Sequence, residues 1–169
     1  MSFSGTTLFL DFDNVVSSDA LFPPRDSTGW LGDWTRITLD GMEIMFSHEL
    51  IEEITLLSAR ENLNIVWLTD WAEGTKDISR VTGLPVFPFL EMQDDDLYTV
   101  DPWWKLRHVQ REWETTNNRI IWLDDSIPGN TQAQEWVERE QGRALAIAPV
   151  NNWGLTRHHL QQVYDFLDN

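Results

Sequence analysis

The sequence contains no cysteine, which excludes disulfide bonds, thiolate metal sites and cysteine nucleophiles. Lysine is almost absent too, because only Lys76 and Lys105 stand against ten arginines. Positive charge as a whole is scarce, with 12 basic residues against 28 acidic ones and a formal net charge of −16. A surface of this sign repels phosphate backbones and anionic lipids at long range. We therefore expect no broad nucleic-acid-binding surface and no membrane binding, although a small pocket for one phosphate group is compatible with this charge.

Long hydrophobic runs are missing as well. The N-terminal stretch MSFSGTTLFLDFD has no basic segment before its apolar residues, and aspartate interrupts those residues after a few positions. This pattern predicts neither a signal peptide nor a membrane span, so a cytoplasmic location is expected. The length of 169 residues, with ten tryptophans and no repeat or linker, fits one globular domain over 1–169.

Short, continuously apolar segments alternate with helical ones. Continuous apolarity is typical of parallel strands that are covered on both faces. Alternating strands and helices predict an α/β three-layer, Rossmann-like sandwich with a mainly parallel sheet of about five strands. The strand segments are TLFLDF, NIVWLTD, RIIWLDD and RALAIA, with a weaker candidate at LPVFPF.

Capping residues mark the helices between these strands. Ser47 is the predicted N-cap of a helix over 47–62, and Asn130 is the cap of another that stops near Gly142. Shorter helices are expected at about 72–82 and 103–115, and a last one in GLTRHHLQQVYDFL. Asp40-Gly41 between two β-like runs predicts a hairpin within an inserted flap at about 21–46.

Polar residues follow three of the predicted strands. Because the carboxyl ends of parallel strands meet at one edge of a sheet, these residues are expected to share a crevice. Four carboxylates close together would raise each other's pKa values or require a cation. If a cation binds, an oxygen-rich cluster without cysteine favours a hard divalent ion, with Mg²⁺ the first candidate. The residues are Asp11 and Asp13, Thr69 and Asp70, and Asp124 and Asp125.

Each of these features has an ordinary alternative. An aspartate at a strand end is commonly a helix cap or a turn residue, so no single pair is decisive. Lys105 follows DPWW at a predicted helix start, where the helix dipole favours anions. Lys105 either binds the carboxylate cluster or a phosphate, or is an exposed surface lysine, as Lys76 is expected to be.

Taken in order, these elements resemble the motifs of the haloacid dehalogenase (HAD) superfamily, whose members are mostly Mg²⁺-dependent phosphohydrolases. The first motif is LFLDFDNVV, the second IVWLTDW, the third the lysine Lys105, and the fourth IIWLDDS. Asn14 stands where family members usually have Gly or Thr, and Asn tolerates a positive φ. The short spacer with its hairpin, the Trp-rich strands and GLTRHHL are similar to small HAD domains associated with bacterial RNA-repair proteins.

The resemblance implies a role for each motif residue. Asp11 would be the nucleophile that forms an aspartyl-phosphate, and Asp13 would be the general acid and base. Mg²⁺ would be bound by Asp11, the backbone carbonyl of Asp13 and Asp125, with Asp124 binding through water or orienting Lys105. Thr69 and Lys105 would contact the phosphoryl group, and the remaining substrate-binding candidates are Asn14, Asp70 and Trp71.

The substrate is left open by these residues. The spacer outside the helix over 47–62 is too short for a large cap domain, which needs at least ~50 residues. An open site suits a phosphorylated small molecule or a nucleic-acid end, and Trp30, Trp34, Trp71, Trp103 or Trp104 could stack on a base, although most tryptophans are expected in the core. Two alternatives are a catalytically idle HAD-like module that regulates a protein partner and a domain that binds Mg²⁺ or Ca²⁺ structurally.

Overall fold

The computed structural model describes residues 4–19, 25–93, 103–150 and 152–169. Two short 3₁₀ turns, Ala72–Gly74 and Ile127–Gly129, accompany the helices and strands of this part of the chain. In chain order the regular elements are β1 (Thr6–Leu10), α1 (Arg25–Thr28), β2 (Trp34–Leu39), β3 (Met42–Ser47), α2 (His48–Ser58), β4 (Leu63–Trp67), α3 (Thr75–Thr82), α4 (Trp104–Thr115), β5 (Arg119–Leu123), α5 (Thr131–Arg139), β6 (Ala144–Ile147) and α6 (Arg157–Asp168).

The main sheet has the strand order β4-β1-β5-β6, and all its strands are parallel. The register is even, because Leu10 at the end of β1 lies opposite Trp67 of β4 and Leu123 of β5. The carboxyl ends of these three strands therefore meet at one edge of the sheet, and whatever follows them is brought together.

Both faces of the sheet are buried. Along β1, Leu8 and Leu10 point into one hydrophobic cluster and Phe9 into another, as strand alternation requires. Residues of α2, α3 and α6 complete the first cluster, and residues of α4 and α5 complete the second. The predicted three-layer α/β sandwich is confirmed.

The weaker strand candidate LPVFPF does not form a fifth strand in the described residues, and it makes a single bridge to β4 instead. Trp67 N–H donates to the Pro88 carbonyl at 2.8 Å and Leu90 N–H to the Trp67 carbonyl at 3.0 Å, which makes a single parallel bridge between Trp67 and Phe89. Pro85 and Pro88 have no N–H group, so this segment cannot donate a regular ladder of hydrogen bonds.

The predicted hairpin is confirmed by the antiparallel pairing of β2 and β3. Its two turn residues have positive φ, 50° for Asp40 and 82° for Gly41, which is the backbone that an Asp-Gly hairpin turn requires. Ser18 N–H donates to the Met45 carbonyl at 2.7 Å, so the hairpin lies beside the loop that follows β1. Residues 21–24 of the predicted flap lie outside the described residues.

The helix caps also agree with the sequence. The Ser47 side chain accepts a hydrogen bond from Leu50 N–H at the start of α2. Asn130 accepts one from Ala133 N–H at 2.8 Å at the start of α5. Within the described residues, no helix has the length and apolarity needed to cross a membrane.

Candidate active site

Asp11 is the first residue after β1, and it is almost completely buried. Its N–H donates to the Leu123 carbonyl at 3.0 Å, which fixes Asp11 beside the end of β5. Its Oδ1 accepts from Phe12 N–H at 2.7 Å, and its Oδ2 accepts from Lys105 Nζ at 2.6 Å. Both carboxylate oxygens are therefore held in place at the sheet edge.

The chain turns directly after Asp11, whereas the sequence suggested a strand that continues through Phe12. The Phe12 carbonyl accepts from the N–H groups of Val16 and Ser17, each at 2.9 Å, so its hydrogen bonding serves a turn rather than the sheet. Asn14 has a φ of 55°, a conformation that Asn tolerates. Its buried Oδ1 has no hydrogen-bond partner in the described part of the chain.

Asp13 is presented by this turn, close enough to Asp11 to be affected by its charge. Trp71 Nε1 donates a hydrogen bond to Asp13 Oδ2 at 2.9 Å. Trp71 was predicted to bind substrate, and the structure gives its indole N–H a partner within the protein. Asp13 was expected to bind the metal through its backbone carbonyl, and its carboxylate does not join the metal-capable group described below.

Lys105 lies in the first turn of α4, only 3% exposed. Its Nζ donates to Asp11 Oδ2 at 2.6 Å and to Asp124 Oδ2 at 2.9 Å. The same nitrogen lies 5.6 Å from the ring centroid of Trp103 and 5.9 Å from that of Trp104. The alternative of a surface lysine is therefore wrong for Lys105, whereas Lys76 is exposed as expected.

The two acids after β5 differ in their surroundings. Asp124 is fully buried, and its Oδ1 accepts from Ser126 N–H at 2.9 Å while its Oδ2 accepts from Lys105. Asp125 is half-buried and accepts a hydrogen bond from the Ser126 hydroxyl at 3.2 Å. One carboxylate oxygen from each of Asp11, Asp124 and Asp125 lies within 4.8 Å of the others.

This donor set fits a divalent cation. All three groups offer carboxylate oxygens, the ligands that hard ions such as Mg²⁺ prefer. Lys105 supplies one positive charge against three carboxylates, so the cluster is left with excess negative charge in a buried place. Asp125 is the carboxylate with the fewest hydrogen bonds from its neighbours, which makes it the most available ligand.

The pKa values of the cluster show the same imbalance. Burial raises the pKa of Asp124 to about 7, although Lys105 opposes the rise. Burial likewise raises the pKa of Asp11 against the effect of Lys105, and raises that of Asp13, with the negative charge of Asp11 adding to it. Burial lowers the pKa of Lys105, but Asp124 and Asp11 outweigh it and the net shift is upward. Lys105 therefore stays protonated, and its single positive charge does not balance the negative charges of the carboxyl groups around it.

Thr69 lies two residues beyond the end of β4, with 1% of its surface exposed. Its hydroxyl is close enough to Asp11 to lower the pKa of that carboxyl, but it meets no hydrogen-bond geometry with any described residue. Buried hydroxyl groups normally have a partner, so this one is free to donate to a ligand held against Asp11.

Two clefts open beside this centre, and the exposed Asp70 borders both. One, of about 340 Å³, is lined by Trp103, Lys105 and Ser126. The other, of about 550 Å³, is lined by Thr69, Trp104 and Glu91 among others.

One of the tryptophans considered for substrate stacking is unavailable. Trp30 is completely buried, and its Nε1 donates to the Leu155 carbonyl at 2.7 Å. Trp30 is therefore not free to stack on a base and lies in the core, as most of the tryptophans were expected to, where it joins the loop before β2 to the segment before α6.

The parallel sandwich, with its acids, threonine and lysine gathered at one edge, defines a Rossmann-like domain of the haloacid dehalogenase type. A scan against protein-family models matches residues 7–160 to the HAD domain in Swiss Army Knife RNA repair proteins, and the chain belongs to this family. Both the superfamily resemblance and the narrower likeness to HAD domains of RNA-repair proteins are confirmed. A search of curated proteins found no match.

Proposed function

We propose that the chain is a Mg²⁺-dependent phosphomonoester hydrolase that works through an aspartyl-phosphate on Asp11. The observation that carries this proposal is the arrangement around Asp11, whose Oδ2 lies 2.6 Å from Lys105 Nζ and whose carboxyl group is close to the buried Thr69 hydroxyl. An ammonium and a free hydroxyl donor beside a carboxylate form a receptor for the oxygens of a phosphoryl group. A HAD-type family of phosphohydrolases is consistent with this chemistry.

The proposed reaction has two steps. In the first, an Asp11 carboxylate oxygen attacks phosphorus, the bond to the leaving oxygen breaks, and Asp13 gives that oxygen a proton. In the second, Asp13 takes a proton from water, the water oxygen attacks the aspartyl-phosphate, and inorganic phosphate leaves with Asp11 restored. Thr69 and Lys105 hold the equatorial oxygens of the transferring group in both steps.

Mg²⁺ would be held by Asp11, the backbone carbonyl of Asp13 and Asp125. Asp124 is better suited to orienting Lys105, because it is completely buried and its Oδ2 accepts from Lys105 Nζ, whereas Asp125 is more exposed. The ion would supply the positive charge that the three neighbouring carboxylates lack and that an anionic phosphate needs in order to approach them.

The substrate class we favour is a terminal phosphate on a nucleic-acid end or nucleotide. The family, named for RNA repair proteins, supports this choice. The net charge of −16 limits how much of a nucleic acid can bind, because the acidic surface does not attract its backbone phosphates. Only the end of a nucleic acid is therefore expected to bind. The two clefts beside Asp70 leave space for the group that carries the phosphate.

The test is hydrolysis of a generic aryl phosphate with Mg²⁺ and with a chelator, for the wild type, Asp11→Asn and Asp165→Asn. Asp165 is an exposed carboxylate on α6, so its variant is a matched control. We expect Mg²⁺-dependent turnover that Asp11→Asn abolishes and Asp165→Asn retains. Turnover that persists in Asp11→Asn would exclude Asp11 as the nucleophile. A panel of nucleotides, sugar phosphates and phosphorylated RNA ends then identifies the substrate class.

A further inference from the structure

The side chain of Trp71 contacts Asp13, the proposed acid and base. Its Nε1 donates to Asp13 Oδ2 at 2.9 Å, and Asp13 Oδ1 receives no hydrogen bond within the described part of the chain. An indole N–H group can only donate, and the carbonyl oxygen of a protonated carboxyl group accepts more strongly than its hydroxyl oxygen, so this hydrogen bond favours Oδ2 as the unprotonated oxygen. When Asp13 is protonated, the proton is therefore directed to Oδ1.

The indole is itself held in a defined position. Its ring meets Phe12 edge-on at a centroid distance of 5.5 Å, and Phe12 is buried in the core. Gly74 N–H donates to the Trp71 carbonyl at 2.8 Å, which closes a tight turn around the side chain. A Cβ atom at position 74 would lie 3.1 Å from Trp71 Cε3, so glycine leaves the space that the ring occupies. The hydrogen bond to Asp13 thus comes from a rigid donor.

We propose that Trp71 is a positioning residue for Asp13, which fixes Oδ2 and turns the proton-bearing Oδ1 toward the leaving oxygen of the substrate. This inference rests on the proposed function. In the first step, the proton on Oδ1 moves to the leaving oxygen as its bond to phosphorus breaks and the bond from Asp11 forms. Trp71 touches no reacting atom, so its effect is confined to the step in which Asp13 gives up the proton.

A positioning role of this kind depends on the leaving group. A dinitrophenolate leaves readily without a proton, whereas the oxygen of phenyl phosphate needs one. A misplaced general acid therefore slows the second ester and spares the first. General acid catalysis contributes roughly 10²–10⁴-fold, and a misaligned acid loses part of that factor.

The experiment compares kcat/KM for phenyl phosphate and dinitrophenyl phosphate, because kcat/KM reports only the steps through departure of the leaving group. We expect Trp71→Phe to lower the value for phenyl phosphate by about 10- to 100-fold and that for dinitrophenyl phosphate by less than about threefold. Phe retains an aromatic ring next to Phe12 but has no N–H group. Trp113→Phe is the control, because Trp113 packs on Trp136 away from the site, and it should change neither value.

A double-mutant cycle makes the inference specific. In the Asp13→Asn background, Trp71→Phe should produce no further loss on phenyl phosphate, since its effect acts through Asp13. The indole N–H resonance of Trp71, identified by its absence in Trp71→Phe, should also shift in Asp13→Ala, which tests the hydrogen bond without turnover.

Three outcomes contradict the inference. An equal loss on both esters, or a full additional loss in the Asp13→Asn background, shows that Trp71 acts structurally. An unchanged indole resonance in Asp13→Ala shows that the hydrogen bond is absent. Wild-type protein without Mg²⁺-dependent turnover of either ester overturns the proposed function instead, and the inference fails with it.

Discussion

The surroundings of Lys105 explain why this position has a lysine, although arginine supplies most of the positive charge in the chain. One ammonium bonds two carboxylates that come from the ends of β1 and β5, at 2.6 and 2.9 Å. A compact point charge with three donors fits between them, whereas a planar guanidinium needs a wider space and a fixed fork geometry. Lys105 therefore links the end of β1 to the end of β5, in addition to its proposed contact with the phosphoryl group.

We predict that Lys105→Met lowers the free energy of unfolding by about 3–5 kcal/mol in the presence of a chelator, because it leaves Asp11 and Asp124 without their buried counter-charge. Added Mg²⁺ should recover part of this loss, since it binds the same carboxylates in the folded state. Urea denaturation with chelator and with Mg²⁺ measures both effects.

The exposed Lys76 provides the control for this experiment, and Lys76→Met is expected to change the unfolding free energy by less than about 0.5 kcal/mol. Equal stabilities of Lys105→Met and Lys76→Met would contradict the role assigned to the buried ammonium.

The sequence indicated most of the site at the level of single residues. Asp11, Thr69 and Asp124 could be selected because each follows a strand end, and parallel strands gather their ends. Lys105 could be selected because lysine is scarce in this chain and the residue lies at a helix start, where the dipole favours anions. The hydrogen bond from Trp71 to Asp13 could not be predicted from the sequence. It depends on a tight turn in which Ala72 has a φ of 46°, and nothing in the residue type Ala signals that conformation.

At the scale of elements, the features that were predictable are those specified by neighbouring residues. The Asp40-Gly41 turn and the caps Ser47 and Asn130 are local hydrogen-bond or backbone devices, and the structure has all of them. The segment around Pro85 and Pro88 carries conflicting signals. Its apolar side chains favour a strand, whereas the missing N–H groups of its prolines oppose one. In the structure, this segment forms a single parallel bridge, between Phe89 and Trp67.

Thr156 caps the start of α6, as the sequence predicts, but the sequence does not predict its partner His159, because His is not a usual partner in a capping box. His159 N–H donates to Thr156 Oγ1 at 3.2 Å, and Thr156 N–H donates to His159 Nδ1 at 3.1 Å. The second bond requires a neutral imidazole. Burial lowers the pKa of His159 below its ordinary 6.5, and the positive charge of His158 lowers it further.

This cap predicts a pH-dependent stability. Because the folded state favours neutral His159, its contribution is fully present above the unfolded pKa of 6.5 and is lost as pH falls below that value. His159→Gln keeps an acceptor that does not titrate. The wild type should therefore lose up to about 1 kcal/mol relative to His159→Gln between pH 8 and pH 5, the typical size of a capping interaction. Denaturation at each pH measures the difference, and a constant difference would contradict the prediction.

At the scale of the whole molecule, the net charge of the protein has the same sign as the proposed phosphate substrate. The net charge is −16, yet the site is expected to receive a phosphate. Lys105 is nearly inaccessible and already faces two carboxylates, so it attracts anions only at contact distance. Binding should therefore combine a local attraction at the site with a general repulsion of everything attached to the phosphate.

Salt separates these two terms, because it screens the general repulsion more strongly than the buried contacts. The Debye length shortens from about 30 Å at roughly 0.01 M salt to about 8 Å at 0.15 M. Over that range, we predict that an end-phosphorylated oligonucleotide binds several-fold more tightly as salt is added, at constant Mg²⁺. Proteins that bind nucleic acid through a basic surface show the opposite slope, because they release counterions.

The affinity can be measured as inhibition of aryl phosphate hydrolysis, with a mononucleotide that carries the same phosphate as the control. The mononucleotide shares the contacts with Thr69 and Lys105 but lacks the additional backbone charges, so its affinity should change less with salt. The difference between the two slopes isolates the repulsion between the acidic surface and the polyanion. An oligonucleotide affinity that falls more steeply with salt than that of the mononucleotide would reveal a basic path along the protein, and the expectation that only the nucleic-acid end binds would then be wrong.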